Sequence, residues 1–400
     1  MDTSDIFSQL GVSRHVTGVL RAAAQAARGE GQASAMTHAW LFTGPPGSGR
    51  SVAAVGLAAS LVCEHETVVG CGTCTGCKAV LAGTHGDVLH IVPRELSISV
   101  DTMRQAVIEP AAKRPTVAKW RVVILDNADR LTEGAANALL KTVEEPPAHT
   151  VIMMCAPSTD PQDVMPTLLS RSRHVYVPQP SEQEVADILS REGISPDDAR
   201  LAAAATGRHI GRARHLATDR EAQTRRANIL RLAELVFQGD QAFQAVTAIV
   251  KASTKSAEEA LAKENETEME KLRNALGMGA KGKGAQKALR GASGQIRELE
   301  EKQKKRRTRA IRDTLDLALV DLAGLYRDSL MDKSATRVPA VHPDFAGLAA
   351  ELSARVDVAG LVACLDAITL AREHLQQNVR PETALDAMVG RLRIACGAGV

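Results

Sequence analysis

Aromatic residues are scarce in this chain. Five Phe, two Trp and two Tyr make up 2% of 400 residues. A core with so few aromatics has to be built from Ala, Leu and Val, which favours helices. Long apolar runs are missing too, and none approaches the ~20 residues that cross a bilayer. The first residues, Met1–Gln9, carry Asp2 and Asp5 and lack the basic start of a secretory leader, so a cytoplasmic protein is expected. Charge of one sign is also lacking: 49 basic residues against 47 acidic leave a net charge of +2. That is too small to imply a global attraction to nucleic acid and leaves room for local basic faces. Seven cysteines in such a chain point to metal or free thiols, not to disulfides. What remains is ordinary for a globular protein: 44% hydrophobic and 24% charged, at a length that predicts two or three domains.

The most informative stretch is Leu41–Ser51. An apolar run, Ala39 to Phe42, breaks into Gly44-Pro45-Pro46-Gly47-Ser48-Gly49-Arg50-Ser51, and a small-residue helical stretch follows to Val62. Strand, glycine-rich loop and helix are the context of a phosphate-binding loop. Glycines let backbone N–H groups converge on phosphate oxygens, and the helix start adds partial positive charge. The pattern calls for lysine where this chain has Arg50, followed by Ser51. Downstream, Val122-Val123-Ile124-Leu125 reads as a buried parallel strand ending in Asp126. An acid there sits where nucleotide-binding sheets hold Mg²⁺, the alternative being an acid of a surface turn. A hydrolysing site usually continues with glutamate, but here Asn127 follows and cannot accept a proton.

Between these lie Cys63, Cys71, Cys74 and Cys77, spaced Cys-x7-Cys-x2-Cys-x2-Cys with Gly70, Gly72 and Gly76 among them. Four thiolates with turn-forming glycines suit structural, tetrahedral zinc and leave no open position for water; the alternative is a cluster of buried free thiols. His65 and His85 lie nearby and read as packing or surface residues.

Along the chain, Ile6 to Arg28 reads as one helix, and a helix from Ser99 through Glu109 is expected to be capped by Asp101 or Thr102. Strands alternating with helices from 39 to 177 predict an α/β fold with a doubly wound parallel sheet. The predicted organisation is a nucleotide-binding-like core over 1–180, with the cysteine module at 63–77, and a helical lid over 181–250. A charged insertion over 251–310 is either a helical hairpin or partly disordered, and an all-α collar covers 311–400. Six of the eight residues in Lys302–Arg309 are basic, which reads as a solvated helix face or a nucleic-acid contact.

Taken together, the loop at 44–51, cysteines 63–77 and Asp126 resemble the AAA+ clamp-loader family. So do Leu139-Leu140-Lys141-Thr142-Val143-Glu144-Glu145-Pro146-Pro147, Ser170-Arg171-Ser172 and the C-terminal Asn378-Val379-Arg380-Pro381-Glu382. Within that family the degraded loop is most similar to the delta-prime branch of bacterial DNA polymerase III, rather than to the ATP-hydrolysing tau/gamma branch. The resemblance implies that Arg171 matches the Ser-Arg-Cys motif, whose arginine reaches a neighbouring subunit's ATP. It implies that Arg214, in Gly211-Arg212-Ala213-Arg214, is a second-sensor arginine facing the chain's own nucleotide pocket. Ser158 or Thr159 would fall at the first sensor, and Arg104 on a helix facing DNA. For each arginine the structural alternative is a surface charge pair. Gly44, Gly47, Gly49, Arg50, Ser51 and Asp126 would then bind ATP with Mg²⁺ at most, without productive turnover. The implied partners are tau/gamma- and delta-type subunits in a hetero-oligomer, and through them a sliding clamp and primer-template DNA. Two other readings stand beside this one: an autonomous AAA+ ATPase, and a zinc-ribbon nucleic-acid binder.

Overall fold

A computed structural model describes residues 5–93, 97–276, 285–377 and 379–398. The chain divides into two compact units. The first comprises residues 1–193 with 208–211, and the second 194–207 with 212–400.

The first unit is built on a five-stranded sheet, β1 (Ala39–Thr43), β2 (Val88–Ile91), β3 (Arg121–Leu125), β4 (Thr150–Ala156) and β5 (Arg173–Tyr176). All neighbours are parallel, in the order β2-β3-β4-β1-β5. The central strands β1, β3 and β4 are buried along their whole length, which is why they read as unbroken apolar runs. Their side chains alternate between two cores. Trp40, Phe42, Val122, Ile124, Met153 and Cys155 face helices Arg14–Ala27 and Arg50–Leu61. Leu41, Val123, Leu125, Ile152 and Met154 face the other side, against Met103 and Val107 and helix Glu133–Glu144. Both faces are thus covered, as a doubly wound sheet requires.

Two local expectations need correction. Ile6 to Arg28 is not one helix: Ile6–Gln9 ends before Gly11, whose φ of +64° a side-chain-bearing residue adopts poorly, and Ser13 caps a second helix, Arg14–Ala27. The helix entering at Val100 is capped by Ser99, not by Asp101 or Thr102; its Oγ accepts from the Thr102 N–H at 3.2 Å. Arg104–Ile108 continues it as a π turn, in which the Glu109 N–H reaches the Arg104 carbonyl. Pro110 follows directly and has no N–H to donate to the usual carbonyl four residues back.

The edge β2–β3 is tied by a buried carboxylate. Asp87, fully buried, accepts from the backbone N–H groups of Thr116, Val117 and Ala118 at 2.7–2.9 Å and lies 3.5 Å from the buried Arg121 guanidinium. Burial opposes its charge, but the three N–H donors prevail and bring its pKa down to about 2. A depressed carboxylate contributes stability that is fully present above its ordinary pKa near 4 and is lost as pH falls through the folded value near 2. Asp87→Ala is expected to lower stability at neutral pH by about 3 kcal/mol, because Arg121 stays buried without its partner. Urea unfolding at pH 7 checks this, and the gap between variant and parent should narrow below pH 3.

The second unit is helical, and its core is made by helices Arg220–Leu235, Gln241–Ala275, Ala285–Lys333, Ala346–Arg355, Val358–Gln376 and Pro381–Ala395. The two longest form a hairpin: Gln303 meets Asn265 while Arg307 meets Glu258, so they run in opposite directions. The region expected as an insertion is therefore continuous helix in its described parts, and Gly277–Gly284 lies outside the described residues, as does Asn378. The basic run at 302–309 is largely engaged within the hairpin. Arg306 pairs with Glu264 and Glu268, Arg307 with Glu258, and Lys302 with Glu298. Deeper in this unit Arg226 holds Asp344 with two bonds of 2.6 and 2.8 Å and donates to His342 Nδ1 at 2.8 Å.

Candidate functional site

Strand β1 delivers the chain to Gly44 at the carboxyl edge of the sheet, where open parallel sheets place their ligands. Residues 44–49 then form the loop, and Gly49, in the left-handed conformation, is the N-cap of helix Arg50–Leu61. Gly47 is required as glycine twice over. Its φ is +86°, and a Cβ there would lie 2.7 Å from His209, which packs over the loop. The side-chain oxygen of Ser48 is buried in this loop with no hydrogen-bond partner, and together with the helix start it suits an anion. The loop thus keeps the geometry of an anion cradle.

The cation half is different. Arg50 folds back, its Nη1 donating to the Gly44 carbonyl at 2.8 Å. Ser51 Oγ donates to Asp126 Oδ1 at 2.5 Å, and His90 Nε2 lies 2.6 Å from Asp126 Oδ2. Burial opposes the Asp126 charge, but the hydrogen bonds from His90 and Ser51 outweigh it and hold the carboxyl below its ordinary value. Both oxygens that could face a magnesium ion or its waters are already engaged by side chains. The loop fits phosphate; Asp126 does not fit Mg²⁺ unless His90 withdraws. Asn127 has φ of +51° and ψ of +52°. Asparagine tolerates that left-handed position better than glutamate does, so the residue that lacks a proton acceptor is also the one the backbone favours.

His90 escapes sequence reasoning because it is a lone histidine on a short strand. Only the parallel register, His90 beside Ile124, brings it to the end of β3.

The four cysteines converge. Their sulfurs all lie within 4.8 Å of one another, the one such metal-capable group among the described residues. Tetrahedral zinc with bonds near 2.3 Å spaces its sulfurs by about 3.8 Å, so only small adjustments are needed. Backbone donors point at the sulfurs in sequence: Cys71 N–H to Cys63 at 3.4 Å, Cys74 N–H to Cys71 at 3.3 Å, Cys77 N–H to Cys74 at 3.4 Å. Burial raises the Cys71 thiol, but bonds from Thr73 and Cys74 outweigh it and bring it to about 6, in the range of a ready thiolate ligand. Cys74 is also the N-cap of helix Thr75–Leu81, an element not anticipated from the sequence. Arg28 donates to the carbonyls of Cys63 and His65 at 3.1 and 2.7 Å and fastens the module to helix Arg14–Ala27. His65 is committed to its own turn, accepting from the Thr67 and Val68 N–H groups.

Arg171 follows the short helix Pro166–Leu169 and is half-exposed. Its Nε pairs with Glu144 at the end of helix Glu133–Glu144, and its Nη1 donates to the Thr167 carbonyl at 3.1 Å and Ser170 Oγ at 3.2 Å. Arg104 is exposed on the π turn, and Arg214 is exposed on helix Ile210–Thr218 of the second unit. Ser158 is committed within its loop, donating to Asp163 at 2.6 Å. The structure therefore brings together Gly44, Gly47, Gly49, Arg50, Ser51 and Asp126 as one site and the four cysteines as another. Arg171 stands apart on the surface.

Comparison with known proteins covers the segment that contains both sites. Residues 21–181 match the family model described as DNA polymerase III, delta subunit. The DNA polymerase III subunit delta' of Escherichia coli K12 is 37% identical over 175 residues, 43% of this chain and 52% of that protein. The delta' subunit of Bacillus subtilis 168 is 32% identical over 203 residues, 51% of this chain and 60% of that protein. The gamma/tau subunit of Mycobacterium bovis is 34% identical over 200 residues, 48% of this chain and 33% of that protein. The chain thus spans little more than half the length of the delta' proteins it matches.

Proposed function

We propose, for a chain whose residues 21–181 match the DNA polymerase III delta-subunit family model and which is similar to delta' subunits, the role of a clamp-loader subunit that does not hydrolyse ATP. It assembles with tau/gamma- and delta-type subunits and helps to place a sliding clamp on primed DNA. Arg171 is its contribution to chemistry, a guanidinium offered to the ATP held by a neighbour, where it would offset charge on the phosphate being transferred. The observation that carries this reading is the closed cation half of the loop: Arg50 on the Gly44 carbonyl and Asp126 bound by Ser51 and His90. With Asn127 unable to polarise a water, the chain's own site lacks the means of turnover.

The similarity to gamma/tau subunits supports a second reading, an autonomous ATPase. Steady-state phosphate release by the purified chain with Mg²⁺ and ATP separates the two. The proposal expects no turnover above a Gly47→Asp control, and expects the tagged chain to retain tau/gamma- and delta-type subunits on a column. Robust Mg²⁺-dependent turnover would replace it with the second reading.

The pair with Glu144 gives Arg171 a defined direction before any partner arrives. Glu144→Gln keeps the shape but removes the charge, and it is expected to slow the neighbour's turnover about tenfold through loss of positioning. Its effect should fall on kcat with little change in KM for ATP, measured in the reconstituted assembly.

A further inference from the structure

The second unit contains a pair of thiols that the proposed function leaves without a role. Cys364 lies on helix Val358–Gln376, and Cys396 is the C-cap of helix Pro381–Ala395. Their sulfurs are 3.6 Å apart. We propose that Cys364 and Cys396 form an oxidation site, a thiol pair that a small hydroperoxide converts into a disulfide joining these two helices.

Three features support it. Disulfide sulfurs are about 2.05 Å apart, so closure asks for a sulfur movement of roughly 1.5 Å, within reach of side-chain rotation and small helix shifts. The two thiols are also unlike each other. The contact with Cys364 holds the Cys396 thiol below its ordinary value against its burial. Cys364 is pushed the opposite way, by that same bond and by burial. A thiol held below its ordinary value beside one held above it is the arrangement in which one sulfur attacks and the other resolves. Access is the third feature. Cys396 is 8% exposed at a helix end and followed by Gly397, whereas Cys364 is fully enclosed. Cys155 is also buried, with its thiol pushed up by burial and by Asp126.

The chemistry balances in two steps. The Cys396 sulfur attacks the hydroperoxide and takes one oxygen. The O–O bond breaks, and water or the alcohol leaves with the thiol's proton. The Cys364 sulfur then attacks the sulfenic sulfur of Cys396, forming the S–S bond and expelling hydroxide, which leaves as water with the Cys364 proton. Two thiols lose two electrons, and the hydroperoxide gains them.

The test uses the full, metal-loaded chain and hydrogen peroxide at a few equivalents. After denaturation, free thiols are alkylated and the protein is cut by trypsin without reduction. The expected product joins fragment 356–372 to fragment 394–400 and is two hydrogens lighter than their sum. Dimedone should label Cys396 in Cys364→Ala, and should not label Cys364 in Cys396→Ala. The oxidised wild type should melt roughly 5 °C higher than the reduced form and return on treatment with dithiothreitol. Recovery of Cys364 and Cys396 both alkylated, while other cysteines of the chain have been oxidised, would overturn the proposal. The wild-type map decides this even where a variant folds poorly.

Discussion

Arg171→Ala is expected to leave the chain folded and assembled while the adjoining ATP site loses about 10³-fold in turnover. The magnitude is that of an arginine supplied in trans to a phosphoryl-transfer site. Its loss raises the barrier by about 4 kcal/mol. Stability should hardly change, because the pair with Glu144 is half-exposed at both ends and such pairs contribute under about 1 kcal/mol. That separation makes the experiment decisive. Circular dichroism and subunit retention should match the parent, while a single-turnover measurement of ATP hydrolysis in the reconstituted assembly should show one site slowed. Arg171→Lys should recover little, since a lysine cannot present the planar fork that bonds two phosphate oxygens. Unchanged single-turnover kinetics in Arg171→Ala would remove the trans role and leave Arg171 as half of a surface ion pair.

The parts of this molecule that were legible in the sequence are those whose cause is local. β4 is found at Thr150–Ala156 as its apolar run predicts, because a strand buried on both faces has no other composition available. Thr132, a residue type that favours helix starts, caps helix Glu133–Glu144 by accepting from the Ala135 N–H. Glycines 44, 47 and 49 announce their loop because few other residues take such backbone angles. The four cysteines announce their convergence by spacing alone. What stayed hidden depends on tertiary register. Nothing near His90 in the chain says that it will meet Asp126, 36 residues away, and nothing near Arg226 says that it will meet His342 and Asp344. Helix Thr75–Leu81 was missed because its cap is a cysteine, and cysteine reads as a ligand before it reads as a cap. The basic run at 302–309 misleads for a related reason. Glu298 and Asp313 pair locally with Lys302 and Arg309, but the acids that meet Arg306 and Arg307 sit about forty to fifty residues upstream, across the hairpin, where a local reading does not look.

Stripping metal from the cysteine module is expected to produce the second large effect. A ligand held by the folded state alone stabilises it by about 4 kcal/mol when present at a thousand times its dissociation constant. In a unit of this size that corresponds to a fall of roughly 10 °C in melting temperature on treatment with a strong chelator. The loss should spread beyond the loop. Cys71, Cys77 and Val80 pack in the same core as Leu20, Leu57 and Phe42, and the Ile6 N–H bonds the Gly70 carbonyl at 2.7 Å. The purified chain should carry one zinc by elemental analysis, and a chain with none, melting at the same temperature before and after chelation, would refute the site. Cys74→Ser is the informative variant. Cys74 caps helix Thr75–Leu81 by accepting from the Cys77 N–H, and serine is a better helix cap than cysteine. A hydroxyl in that place keeps the local structure while removing a thiolate from the ligand set. If the Cys74 sulfur matters only as a cap, Cys74→Ser should melt at or above the parent temperature; if it binds metal, the variant should match the chelated parent and respond no further to chelator.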